Sequence, residues 1–176
     1  YSRRNLPHFE RPWAKYMLSW STDNHRQLSP EERDMVLKAI LHHQPIRYTL
    51  YAACVMPDHV HMLIEPAVKE RGKEDEPLFW TLTEITHSLK SFTAHEINKL
   101  AGATGETVWE KETFDRLIRS EADMHEKHDY ITSNPWKAGL VEVTGEMGLG
   151  IMAGGAVLGL SEKRSWACRR NDTRGY

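Results

Sequence analysis

The first regular pattern along the chain is an alternation. In "KYMLSWST", Tyr16, Leu18 and Trp20 stand against Met17, Ser19 and Ser21, the two-residue period of a strand with one buried face. The period then changes. "LSPEERDMVLKAILHH" carries Ser29 as an N-cap, Pro30 at the first helical position and Glu32 three residues after the cap. That is a capping box, in which side chains satisfy the free donors of the first helical turn. Met35, Val36, Ala39 and Ile40 follow at helical spacing and predict one apolar stripe. The helix should stop at His43 or Gln44, because the residue before Pro45 is pushed out of the helical region.

"IRYTLYAACVM" is rich in β-branched and aromatic residues and predicts a strand. "PD" then makes a tight turn into "HVHMLIE", completing a hairpin. "VKERGKEDEP" reads as a charged loop. A long helix is expected from about Thr81 to Leu100, with Leu82, Ile85, Leu89 and Phe92 spaced by three and four. "AGATGE" breaks it, and "TVWEKETFDRLI" reads as a short strand leading into a turn. "SEADMHEKHDYITSN" opens on Ser120 with acids in its first turn, so it predicts a helix, ended by Pro135. Strand, helix, hairpin, helix, strand is the order of the split βαββαβ sheet. The expected class is α+β: a ferredoxin- or RRM-like antiparallel sheet with helices on one face, plus a C-terminal helix. A domain over 1–144 and a glycine-rich, basic tail over 145–176 follow from the glycines between Gly145 and Gly159.

Composition narrows the picture only a little. A chain of 176 residues, 40% hydrophobic and 27% charged, suits one globular soluble domain. Its net charge of −2 does not advertise nucleic acid, although phosphate contact depends on a local patch rather than on a total. Cys54 and Cys168 offer neither a disulfide framework nor a metal-cluster spacing, which suits a reducing cytosol. "YSRRNLPHFERPW" lacks the apolar core of a signal peptide. "MGLGIMAGGAVLGL" is too short and too rich in glycine to span a membrane. A cytoplasmic protein without a membrane partner is expected.

Two clusters could carry chemistry. On a strand, positions i and i+2 share a face, so His59 and His61 should project together while Val60, Met62 and Ile64 enter the core. Two parallel imidazoles can grip a metal ion, bind a phosphate when protonated, or simply sit on a surface strand. Tyr130 and Asn134 are four apart and share a helical face, whereas Met124 and Ile131 belong to another stripe. Tyr130 is then either a tyrosine at the core edge or an exposed phenol. In front of a metal, such a phenol is a nucleophile for a phosphodiester.

"VMPDHVHMLIEP", "SLKSFTAHEIN", "VWEKETFDRLIRSEADM" and "YITSNPWKAGLVE" occur in that order. Together, from about Leu6 to Glu142, they resemble the REP-associated tyrosine transposases of the single-tyrosine HUH superfamily, which includes insertion-sequence transposases. The resemblance implies an endonuclease that cleaves single-stranded hairpin DNA by tyrosine attack, forms a 5′-phosphotyrosine with a divalent metal, and then transfers the strand. It makes Tyr130 the nucleophile, the final helix the catalytic one, and His59, His61 and Asn134 the ligands of Mg²⁺ or Mn²⁺, with Asp58 orienting a histidine. Nitrogen ligands favour Mn²⁺ in affinity. Arg3, Arg4, Arg11, Lys15, Lys90, Arg116 and Arg119 are the candidate DNA contacts, with Trp13 or Trp136 as stacking surfaces.

The implied partner is hairpin or single-stranded DNA, bound by a monomer or homodimer in the nucleoid of a prokaryotic cytoplasm. Two other readings use the same residues: a domesticated nicking endonuclease that does not mobilise itself, and a non-catalytic binder of structured single-stranded DNA. Trp136 and the tail from Glu146 depart from the family pattern, which leaves the tail with an expected electrostatic role only.

Overall fold

The computed structural model describes residues 11–139 and, for the backbone, 157–159. Strand β1 (Tyr16–Ser21) is followed by a 3₁₀ turn (Asp23–His25) and helix α1 (Pro30–His42). Strands β2 (Tyr48–Val55) and β3 (His59–Pro66) form the expected hairpin. A small hairpin, β4 (Val68–Arg71) and β5 (Pro77–Phe79), precedes helix α2 (Leu82–Leu100). Strand β6 (Phe114–Leu117), helix α3 (Glu121–Lys137) and strand β7 (Val157–Gly159) complete the order. The main sheet runs β6-β1-β3-β2-β7, and all its pairs are antiparallel. The α+β class expected from the element order is the one observed.

β3 lies inside the sheet and is buried on two sides. Val60, Met62 and Ile64 enter the larger core with Tyr16, Leu18 and Trp20 of β1, Val36 and Ile40 of α1, and Ile85 and Leu89 of α2. Leu63 enters a smaller core with Ala52, Cys54 and Met56, closed by Met124 and Ile131 of α3. Helices α1 and α2 therefore cover one face and α3 the other. Cys54 is a buried thiol, and burial pushes its pKa up to about 12.

The capping chemistry of α1 forms as expected. Glu32 N–H donates to Ser29 Oγ at 3.2 Å, and Ser29 N–H donates to Glu32 Oε2 at 2.8 Å. A second capping box, Thr81 with Glu84, opens α2. Ser120 Oγ accepts from Asp123 N–H at the start of α3.

Three expectations change. "VKERGKEDEP" is not a loop. It turns as a hairpin, with Asp75 at positive φ and Gly72 N–H donating to the Glu76 carbonyl. Phe92 is not on the buried stripe of α2: it is 51% exposed, while Thr86, Thr93 and Ile97 are buried with Leu89. A period of 3.6 carries the stripe from 89 to 93 and leaves position 92 at its margin. Pro135 does not end α3, which continues to Lys137. Proline there loses a hydrogen bond and crowds the carbonyl four residues back, yet the next turn is held by Ala138 N–H to the Asn134 carbonyl. The proposed boundary at 144/145 lies outside the described residues. Of the tail, Val157–Gly159 pair with Ala52–Cys54 of β2.

Because the Ser29 hydroxyl satisfies a helix donor that no other side chain reaches, Ser29→Ala should cost about 1 kcal/mol of stability. Chemical denaturation monitored by circular dichroism measures it. An unchanged midpoint would mean that the cap contributes nothing.

Candidate active site

The register of the sheet decides which side chains meet. β1 and β3 pair with Ser21 opposite His59 and Ser19 opposite His61. Small polar residues thus flank the histidines on the face covered by α3. The two imidazoles are 4.7 Å apart between ring centroids and inclined at 69°. The ring of Tyr130, arriving from α3, stands edge-on to His61 at 5.4 Å. Two strand positions and one helix position far apart in sequence therefore form one cluster.

The two histidines differ electrically. His59 Nδ1 lies 2.7 Å from Asp58 Oδ1, which fixes the ring and leaves Nε2 as its available nitrogen. Asp58, which the sequence offered as an orienting residue, makes this contact. His61 is only 7% exposed, and among the described residues neither of its ring nitrogens has a hydrogen-bond partner. Burial first, and the neighbouring His59 second, push its pKa from 6.5 down to about 4. A neutral imidazole with an unused lone pair is a poor phosphate binder and a good metal ligand.

Asn134 is half-buried one turn beyond Tyr130 on α3. Among the described residues, no group of three His, Cys, Asp or Glu side chains is arranged to hold a metal. A third ligand from the protein would have to be of another type, such as an amide. The orphaned nitrogens of His61 and the fixed ring of His59 are donors of the type a divalent cation takes.

Tyr130 is 43% exposed and belongs to a flank of α3 that also carries Lys127. Met17, Ser19, Phe114, Asp115, Arg116, Lys127 and Tyr130 line a cavity of about 280 Å³ beside it. Arg116 is held by Asp123, Nη2 to Oδ1 at 3.1 Å.

The other basic candidates are scattered. Arg11 is exposed, and Lys15 lies 3.8 Å from Glu65 and over the Tyr51 ring. The Arg119 backbone N–H donates to Asp123. Arg3 and Arg4 lie outside the described residues. Lys90 is engaged within the chain: its ammonium donates to the carbonyls of Glu110, Lys111 and Glu112 at 3.0, 3.4 and 2.7 Å. An ammonium has three donors, so none is left over for a phosphate. Desolvation pushes its pKa down to about 8. Trp13 is 61% exposed and stands edge-on to Phe79.

Sequence reasoning passed over Phe114 and Lys127. Lys127 is three residues before Tyr130 and so shares its flank. Phe114 and Arg116 are two apart on a strand and so share a face. Both signals were present in the spacing.

An antiparallel α+β sheet that presents a histidine pair to a tyrosine from a covering helix defines a restricted class of protein. The chain belongs to the IS200-like transposase family, whose model matches residues 13–134. A Haemophilus influenzae protein provisionally named a REP-associated tyrosine transposase is 29% identical over 107 residues, 60% of this chain and 58% of that protein. The chain thus aligns with little more than half the length of that relative. A solved structure of a REP-associated tyrosine transposase bound to a REP hairpin has the same fold, with a TM-score of 0.57 and 20% identity. That match covers 80% of this chain and 74% of the other. A crystal structure of a provisionally named transposase from Deinococcus radiodurans overlaps less, with a TM-score of 0.44 and 18% identity over 69% of this chain and 91% of the other. No helix among the described residues is long and apolar enough to cross a membrane.

The depressed His61 pKa has a measurable sign. Between about 6.5 and about 4 the unfolded chain binds a proton at this site that the folded chain refuses, so stability falls as pH falls through that window. Metal-free protein should lose melting temperature across it, and His61→Gln should flatten the slope. An equal slope in wild type and variant would remove His61 from the account.

Proposed function

We propose that this chain cleaves single-stranded DNA beside a hairpin and rejoins the strand, with Tyr130 as nucleophile. One observation carries the reading: the ring of Tyr130 stands edge-on to a buried histidine whose two ring nitrogens have no partner among the described residues. The phenolic oxygen attacks the phosphorus, the bond from phosphorus to the 3′ oxygen breaks, and the phenol proton ends on the released 3′ hydroxyl or in water. The product is a 5′-phosphotyrosine and a free 3′ end. Phosphoester energy is kept in the covalent link, so reversal by another 3′ hydroxyl joins a strand without ATP.

His59 and His61, with the amide oxygen of Asn134, are the residues that would hold Mg²⁺ or Mn²⁺. When bound, such an ion polarises the scissile phosphate and neutralises charge on the leaving oxygen. Asp58 fixes the ring of His59 and keeps its free nitrogen toward the site. Burial by α3 keeps His61 unprotonated over the neutral range. The helix holds Tyr130 against the histidine while leaving the phenol open to a strand. Membership of the IS200-like transposase family, and the hairpin held by the structural relative of like fold, support DNA of this kind as the substrate.

Tyr130→Phe removes only the oxygen. It should abolish covalent protein–DNA adducts with labelled hairpin oligonucleotides on denaturing gels, while hairpin affinity stays within about twofold, since the ring and the fold around it are kept. Undiminished adducts would sink the assignment.

For the ion, calorimetric titration with Mn²⁺ should give one site in the wild type, weakened at least about tenfold by His59→Ala or His61→Ala, and cleavage should stop in excess EDTA. Binding indifferent to both substitutions would exclude the histidine pair.

A further inference from the structure

β6 is an edge strand with an exposed aromatic ring. The register aligns Phe114 of β6, Ser19 of β1 and His61 of β3 in one row, so all three project from the face covered by α3. Two inter-strand spacings separate the ends of that row, about 10 Å. Phe114 nevertheless stays 64% exposed. It borders the cavity of about 280 Å³ with Met17 and Ser19 as floor, Asp115 and Arg116 beside it, and Lys127 and Tyr130 opposite.

The lining is chemically mixed in a specific way. One side offers an open aromatic face. The other charged groups of the lining are Arg116, Lys127 and Asp115. Each cation is already steadied by a carboxylate at its back, Arg116 by Asp123 and Lys127 by Glu126. Lys127 keeps its side chain only 13% exposed there, and the contact with Glu126 takes one of the three donors an ammonium has. The volume sits at the bottom of the range of small-molecule sites, about 300 Å³, enough for one nucleotide and too little for a base pair with its backbones.

We propose that this cavity seats one unpaired nucleotide adjacent to the phosphate that Tyr130 attacks, its base stacked on Phe114 and its phosphate between Arg116 and Lys127. The adjacency rests on the cleavage reading given above; the stacking does not. Stacking on phenylalanine tolerates any base, because every base has a π face. The site therefore grips the strand and leaves its sequence to be read elsewhere. It also selects against duplex, since a paired base cannot turn onto the ring.

The test uses Tyr130→Phe protein, which needs no cleavage, and hairpin oligodeoxynucleotides carrying 2-aminopurine at successive positions of the single-stranded flank. Fluorescence should be quenched at one flank position. Phe114→Ala should abolish that quenching and weaken binding at least about fivefold, while Phe114→Tyr retains both. Lys127→Met should lower the slope of log affinity against log salt by about one. Quenching that is the same with and without the Phe114 ring overturns the subsite. The two readings fail separately. Phe114-dependent quenching in a chain whose intact Tyr130 forms no adduct would keep the subsite and sink cleavage. Adducts at the wild-type rate with Phe114-independent quenching would do the reverse.

Discussion

The pairing of β1 with β3 is the constraint on which the rest depends. With a side-chain period of two, a slip by one residue would send His59 and His61 under α1 and α2 and bring Val60 and Met62 out beneath α3. Nothing in the histidines forbids this; the apolar residues do. Val60, Met62 and Ile64 meet Tyr16, Leu18 and Trp20 in one core, and exchanging that set for imidazoles and a carboxylate would leave polar groups buried without partners. The imidazoles are thus aimed by their neighbours. Packing on one side of a strand fixes chemistry on the other.

That placement carries an energetic tension. His61 is buried more deeply than a polar ring without hydrogen bonds should be, and such a group costs roughly 1–3 kcal/mol. Cys54 is its cross-strand neighbour on β2, and the apolar cluster of Leu63, Ala52, Cys54, Met124 and Ile131 forms between the sheet and α3. An unpartnered buried group is the kind of local inconsistency that proteins tolerate where a ligand later resolves it. Asp58, by contrast, satisfies His59 within the chain. The pair is therefore asymmetric, one ring fixed and one waiting.

Much of this was legible in the sequence, for reasons that differ by element. α1 could be read because its capping box is local and its apolar spacing clean. The β2–β3 hairpin could be read because strand pattern and turn residues agree. The pairing of His59 and His61 on one face follows from period alone, whereas their approach to Tyr130 does not: spacing places a residue on a face of its own element and says nothing about which element covers it. Hence Phe92, apparently in register, stands in solvent, while Thr93 is buried with its hydroxyl donating to Leu89 and accepting from Trp109. "VKERGKEDEP" concealed a hairpin because its charges mask an alternation that only the turn at Gly72–Glu76 organises. Lys90 looked like a phosphate contact because charge is visible in a sequence and carbonyl acceptors are not.

That lysine has a mechanical consequence. β6 is four residues long and, among the described strands, has β1 as its one neighbour, the kind of strand that frays ahead of the rest of a domain. The ammonium of Lys90 ties the segment just before it, at Glu110, Lys111 and Glu112, to a helix on the far side of the sheet. Trp109 reinforces the tie through Thr93 of the same helix. Lifting β6 then requires breaking a charge-assisted clasp as well as a short ladder. The chain entering the edge strand is thereby anchored to α2, not to the sheet alone.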